Sequence, residues 1–323
     1  MEVIMKKLKL KKEVYYALVV LLFLVIGIIY GLNKYQEYKY HQSYEYKLLE
    51  HGYNDEEVKT ILNKFSSDKE LDFFLDNDAN QNYVKLLEEK YFLKKNFDQY
   101  IAYMKEHKKL DTTSVVRNIN IHLDKDFYEI KLSTDTSKDT SMLVNKYYLL
   151  SEDYEPDDLV YISQNYAWGD KNSKRVRQCV YDAFLEMWDA AKENGYYLMI
   201  SSSFRTYQEQ EIVYNNYKKQ GSKYADSIAA RPGASEHQTG LTLDIFSKTN
   251  NNRSLFNDSE EAKWLKNNAY KYGFILRYPE DKTNITGYNY ESWHFRYVGQ
   301  EIAKYIYEND ITFDEYYAYF IEK

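Results

Sequence analysis

Cysteine is almost missing from this 323-residue chain. Cys179 is the single copy, so no internal disulfide is possible. Val176, Val180 and Ala183 flank it at helical spacing. That setting predicts a buried helical position with a structural role rather than a nucleophile. A basic excess is also lacking. Lys and Arg total 43 against 50 Asp and Glu, for a net charge of −7. With a pI near 5.6, the chain lacks the electrostatic footprint of a general nucleic-acid binder, and no nucleic-acid partner is expected. Histidine is scarce, with six copies. His41, His51 and His107 stand isolated and read as surface residues, and His122 has no partner close in sequence.

What the chain does have begins with a run of nineteen uncharged residues, Val14 to Leu32, reading VYYALVVLLFLVIGIIYGL. About 20 apolar residues suffice to cross a bilayer as a helix. Lys6, Lys7, Lys9, Lys11 and Lys12 precede it, which predicts a cytoplasmic N-terminus. No small-x-small cleavage site and no lipid-accepting cysteine follow, only NKYQEYKY. The expectation is a single-pass membrane anchor, with the rest of the chain outside the cytoplasm. The 37 tyrosines are scattered along the chain and read as biased composition with ordinary amphipathic packing.

The predicted organisation is a basic cytoplasmic tail over 1–13, a transmembrane anchor over 14–32 and a linker over 33–43. A small, mainly helical module follows over 44–141, then a domain of mixed helix and strand over 142–323. In the module, Asn54 is a candidate cap for a helix opening with Asp55, Glu56 and Glu57. Residues 118–132 alternate and predict a strand or extended crossing segment. Further on, Asn172 or Ser173 is expected to cap a helix running to Asn194. Thr206 is expected to cap the next helix, and the segment SIAARPGASEH is expected to be loop. YYLMIS, LTLDIF, FILRY and SWHFRYV are strand candidates. Helices alternating with clustered strands predict an α+β fold.

Two stretches carry chemistry. SEHQTGLTLDIF holds His237 and Asp244, and YESWHFRYVG holds Glu291 and His294. Zinc in a hydrolytic site takes three protein ligands and keeps one position for water. His237, Asp244 and His294 fit that inventory. Strand alternation puts Thr242 and Asp244 on one face and Leu241, Leu243 and Ile245 on the other. An aspartate pointing into a folded domain needs a compensating partner, and a divalent cation is one. Glu291 is expected on the turn entering the last strand. It is placed to take a proton from water and pass it to a leaving amine. Arg205 is placed to stabilise an oxyanion or clamp a substrate carboxylate. Arg277 or Arg296 can instead pair with a structural carboxylate.

SEHQTGLTLD together with ESWHFRYVG resembles the VanY and LdcB-type peptidases, zinc carboxypeptidases of the M15 family that trim bacterial cell-wall peptides. SSSFRTYQEQ, RPGASEHQ, GFILRYP and ITGYNYESWHFRYVG follow the same pattern in the same order, over about residues 143–303. The resemblance implies a compact zinc peptidase domain with a small antiparallel sheet and flanking helices. It implies one zinc ion held by His237, Asp244 and His294, with Glu291 as base and Arg205 contacting substrate and developing charge. Gln210, Ser235, Tyr278 and Trp293 fall where related enzymes line the substrate site. Thr242 stands where the family commonly has alanine. The implied substrate is the peptidoglycan stem peptide, losing a terminal D-alanine by D,D- or L,D-carboxypeptidase action. A dipeptidase or endopeptidase on the same polymer, and a non-catalytic wall-binding scaffold, are the alternatives.

Overall fold

The structure is a computed structural model and describes residues 12–249 and 252–322. The lysines at 6, 7, 9 and 11, and most of the expected basic tail, lie outside the described residues. The chain divides into two compact units, one up to Val116 and one from Arg117.

The first unit opens with α1 (Lys12–Gln42), a 31-residue helix with no buried residue. By length and composition it is able to cross a membrane. It does not stop at Leu32. The segment expected as linker continues the helix, because residues 33–42 contain no Pro or Gly to break it. Ser43 then caps α2 (Tyr44–His51), its side chain accepting from Tyr46 N–H. Next come α3 (Asp55–Lys64), α4 (Asp68–Asp76), α5 (Gln81–Glu88) and α6 (Phe97–Glu106). Asn54 and Glu57 form the capping box of α3, so the expected cap is present. Leu48, Ile61, Phe65, Phe74, Leu86, Leu87 and Tyr100 are buried in this module. His41 and His107 are exposed. His51 is half-buried, with Nε2 2.8 Å from the Asn77 carbonyl.

The division between the two compact units lies near residue 116, within α7 (Thr112–Asn120). Residues 118–132 do not form the expected strand. Asp111 accepts from Ser114 N–H, and Val115, Val116 and Ile119 are buried at helical spacing, so helix wins locally. Turns follow. Only β1 (Leu132–Ser133) is extended, and it pairs in parallel with β2 (Tyr148–Leu149). That pairing makes the segment part of the second unit. His122 gains a partner there, with Nε2 3.1 Å from Tyr148 Oη.

In the second unit β3 (Leu159–Tyr161) pairs antiparallel with β4 (Arg175–Arg177). This pairing corrects the expected cap at Asn172 or Ser173. Val176 is fully buried opposite Val160, and Arg177 N–H donates to the Gly240 carbonyl. Helix α8 therefore starts later, spanning Gln178–Glu193. Cys179 on its first turn is half-buried rather than buried. The chain continues through β5 (Leu198–Ser202), α9 (Tyr207–Lys218), α10 (Ser222–Ile228), β6 (Thr242–Ser247), α11 (Arg253–Phe256) and α12 (Glu260–Asn268). β7 (Phe274–Leu276), α13 (Thr283–Thr286), β8 (His294–Tyr297), α14 (Gln300–Asn309) and α15 (Phe313–Tyr316) complete it. Thr206 and Glu209 form the expected capping box of α9. SIAARPGASEH is loop only in its middle: α10 reaches Ile228, and a single 3₁₀ turn spans Glu236–Thr239.

The central sheet is antiparallel, in the order β5-β6-β8-β7. The fold is the expected α+β arrangement. Leu241, Leu243 and Ile245, with Phe295 of β8, are fully buried in one core with Phe184 and Met187 of α8 and Leu265 of α12. The helices thus cover one face of the sheet. Period-two alternation leaves Thr242, Asp244, His294 and Arg296 for the other face.

Candidate active site

β6 and β8 pair with Asp244 opposite His294 and Thr242 opposite Arg296. Facing residues on adjacent strands hold their Cβ atoms about 4.5–5.5 Å apart, so the pairing alone brings these two side chains together. His237 arrives from the 3₁₀ turn just before β6. Gly240 closes that turn at a φ of +67°. A Cβ there would meet Arg177 Cγ at 2.9 Å and Leu159 Cδ2 at 3.0 Å, so both conformation and space require glycine.

His237 Nε2 lies 3.6 Å from Asp244 Oδ1, and His294 Nδ1 lies 3.3 Å from the same oxygen. One ligand atom from each residue falls within 4.8 Å of the others, and all three residues are buried. Among the described residues, Asp244 Oδ1 makes no hydrogen bond beyond these two imidazole contacts. An ionised oxygen buried without a partner is costly, and a cation held by the three side chains removes that cost. Two imidazole nitrogens and one carboxylate oxygen suit zinc and leave an open position. The donor set therefore fits the metal. The remaining ring nitrogens are also placed. His237 Nδ1 lies 2.7 Å from the Ser203 carbonyl, so it donates there and leaves Nε2 free to ligate. His294 Nε2 faces Glu236 Oε2 at 3.5 Å.

Charge in the metal-free cluster follows from burial and proximity. Burial raises the Asp244 carboxyl, but the His237 and His294 rings outweigh it and hold the group well below the usual carboxylate range. Burial lowers the His237 imidazole. It acts the same way on His294, yet the Asp244 and Glu236 carboxylates raise that ring to about 9.

Glu291 lies in the turn entering β8, and His294 N–H donates to its carbonyl at 3.2 Å. Its Oε2 is 3.4 Å from His294 Nδ1. Burial pushes its carboxyl up to about 7, with the His294 charge opposing. Arg205 follows the end of β5. Its Nη2 donates to Ser202 Oγ at 2.9 Å and its Nη1 to Gln210 Oε1. Gln210 on α9 is buried and donates to the Ala230 carbonyl at 2.7 Å. Tyr278 packs its ring 4.7 Å from that of His294. Trp293 stacks on Phe246 at 5.8 Å and also borders the core. Ser235 precedes the 3₁₀ turn, its carbonyl accepting from Gln238 N–H.

One pocket gathers all nine residues singled out in the sequence: Arg205, Gln210, Ser235, His237, Asp244, Tyr278, Glu291, Trp293 and His294. Among the other lining residues, three that make specific contacts escaped the sequence reading. Glu236 is the structural carboxylate that pairs with both Arg277 and Arg296. Tyr288 packs against Tyr278 at 4.7 Å. Arg253 places its guanidinium 5.0 Å from the Trp293 ring. The only signal for Glu236 was its position between Ser235 and His237.

Residues 173–300 match the family model described as VanY, D-alanyl-D-alanine carboxypeptidase. The bifunctional D-Ala-D-Ala dipeptidase and D-Ala-D-Ala carboxypeptidase VanXYC of Enterococcus gallinarum is 36% identical over 188 residues, covering 56% of this chain and 94% of that protein. The chain belongs to the VanY family. Another VanY-like relative, the putative carboxypeptidase YodJ of Bacillus subtilis strain 168, is 45% identical over 179 residues. That match covers 54% of this chain and 66% of the relative's own length. The structure of the LdcB LD-carboxypeptidase is similar at a TM-score of 0.55 and 41% identity, covering 60% of this chain and 96% of that one. All nine pocket residues fall inside the VanY match, whereas the helical module lies outside it.

Proposed function

We propose that this chain is a membrane-anchored zinc carboxypeptidase that removes a terminal D-alanine from peptidoglycan stem peptides. The observation that carries the reading is the convergence of His237, Asp244 and His294 around an otherwise unpartnered Asp244 oxygen, with Glu291 beside them. The names of the VanY-family relatives support the substrate class. The 31-residue α1, with its apolar surface uncovered, supports the anchor.

In this reading His237 Nε2, Asp244 Oδ1 and His294 Nδ1 hold the zinc. When bound, zinc supplies Lewis acidity that brings the pKa of water to roughly 7. Glu291 takes the proton of the attacking water and delivers it to the leaving amine. Its buried position beside the ligand set, with Oε2 3.4 Å from His294 Nδ1, places it to exchange a proton with water in the pocket. Arg205, held in place by Gln210 and Ser202, presents its guanidinium to the substrate's terminal carboxylate or to charge developing on the scissile carbonyl. Ser235, Tyr278 and Trp293 wall the pocket and orient the peptide.

The test is incubation of the detergent-solubilised, zinc-loaded chain with defined tetra- and pentapeptide stems, followed by mass spectrometry. Loss of one alanine from the pentapeptide marks D,D-action, and loss from the tetrapeptide marks L,D-action. Release of an intact D-Ala-D-Ala unit from the pentapeptide marks an endopeptidase-type cut, and hydrolysis of free D-Ala-D-Ala marks dipeptidase action. No product from either stem overturns the reading.

A further inference from the structure

We infer that Glu236 and Asp314 form a buried positioning device for the zinc ligand His294, extending the metal centre's support beyond residues 173–300. The inference rests on the zinc reading above. Its starting point is a pair of buried atoms. Among the described residues, Glu236 Oε2 and His294 Nε2 have no hydrogen-bond partner elsewhere, and they face each other at 3.5 Å. With Nδ1 given to a metal, Nε2 must carry the ring proton, and Glu236 Oε2 is placed to accept it. Such a carboxylate fixes the tautomer and ring orientation of a ligating histidine.

Glu236 is itself held. Its Oε1 accepts from Arg277 Nε at 2.8 Å and from Arg296 Nη1 at 3.1 Å. Arg296 is tied by Nη2 to the carbonyls of Thr140 and Met142. Arg277 is tied to Asp314, with Nη1 to Oδ2 at 2.6 Å and Nη2 to Oδ1 at 3.2 Å. Asn145 Nδ2 also donates to Asp314 Oδ1, at 2.7 Å. Glu236, Asp314, Arg277 and Arg296 are each at most 5% exposed. Two negative and two positive charges balance inside the protein, as a buried cluster requires.

Asp314 is therefore the counter-charge that keeps Arg277 shared between two carboxylates. Without it, Arg277 is drawn wholly onto Glu236, and Glu236 becomes a weaker acceptor for the His294 proton. Asn145 and Asp314 both lie outside the VanY match. The C-terminal turn α15 thus acts on the metal centre through one arginine and one carboxylate, touching neither metal nor substrate.

The experiment measures zinc affinity of the full-length chain in detergent by competition with a chromogenic chelator. Asp314→Asn is expected to weaken zinc about tenfold, at the low end of the 10–100-fold typical of lost outer-shell partners. At saturating zinc its KM stays at the wild-type value. Glu315→Ala is the control. Glu315 caps the same short helix by accepting from Thr312 and does not contact Arg277, so this variant loosens α15 but leaves zinc affinity within about twofold. If Asp314→Asn does not fold, Glu236→Asp replaces it with the same expected weakening. Wild-type zinc affinity in the folded variant, or equal weakening in Glu315→Ala, overturns the inference. A wild-type chain that binds no zinc instead overturns the zinc reading on which the inference stands.

Discussion

Asp244 and His294 face each other across the β6–β8 ladder, with Oδ1 3.3 Å from Nδ1. Two residues fifty positions apart thereby become neighbours through strand register alone. A one-residue slip would turn both towards the helix-packed face. The hydrophobic set Leu241, Leu243, Ile245 and Phe295 on that face holds the register.

The first prediction concerns the ligand set. His294→Ala removes one of three donors and leaves the other two splayed. Zinc content of the purified chain should drop from about one per chain to near zero, read by elemental analysis. Full occupancy in the variant contradicts the assignment.

Metal removal sets a pH dependence. The folded, metal-free His294 is raised to about 9 from an ordinary value of 6.5, and Glu291 is raised to about 7 from 4.5. A raised group stabilises the fold below its unfolded pKa and loses that contribution as pH climbs to the folded value. Glu291 loses its contribution between about pH 4.5 and 7, and His294 loses its own between about pH 6.5 and 9; over the His294 window the stability of the metal-free protein falls by up to about 1.4 kcal/mol per pH unit. Thermal unfolding of chelator-treated protein should show Tm falling across this window. The zinc-loaded protein should show a flatter profile, since the metal has already displaced the His294 proton. A rising Tm in the metal-free sample contradicts the cluster's charge assignment.

Arg205→Lys tests the guanidinium fork. Lysine keeps the charge but loses the paired donors that reach Ser202 and Gln210. A lost hydrogen bond to a charged group costs about 1.5–3 kcal/mol, so kcat/KM should fall roughly 10- to 100-fold while zinc content stays unchanged. Unaltered steady-state kinetics would remove Arg205 from the substrate site.

The anchor is tested on whole cells. Protease added to wall-stripped cells should digest the region following α1, with the N-terminal end protected. Full protection of the catalytic unit would place it on the other side of the membrane.

The candidate site was legible in the sequence chiefly through its linked motifs. The spacing of His237, Asp244, Glu291 and His294 alone leaves a metal site and unrelated loop histidines both open, and it is the resemblance of the linked motifs to the VanY and LdcB-type peptidases that singles the site out. The caps at Asn54 and Thr206 were legible because their side-chain bonds are local. Elements that depend on distant partners were not. Val176 and Val180 have helical spacing, yet residues 175–177 pair with β3. Residues 118–132 alternate like a strand, yet Val115, Val116 and Ile119 draw the first part into α7. Glu236 is one acidic residue among 50. Nothing local distinguishes it, because its significance comes from Arg277, Arg296 and His294, at least forty positions away.

The most direct test of the central claim is a paired measurement on Glu291→Gln. Glutamine keeps size and polarity but lacks the carboxylate that accepts a proton. His237, Asp244 and His294 remain, so zinc content should match the wild type. Alanine release from the stem peptide should fall by roughly two to four orders of magnitude, the scale for losing a positioned general base. Both quantities are read on one preparation. Retained zinc with near-normal release would contradict the proposed role of Glu291, and loss of zinc would make it a ligand.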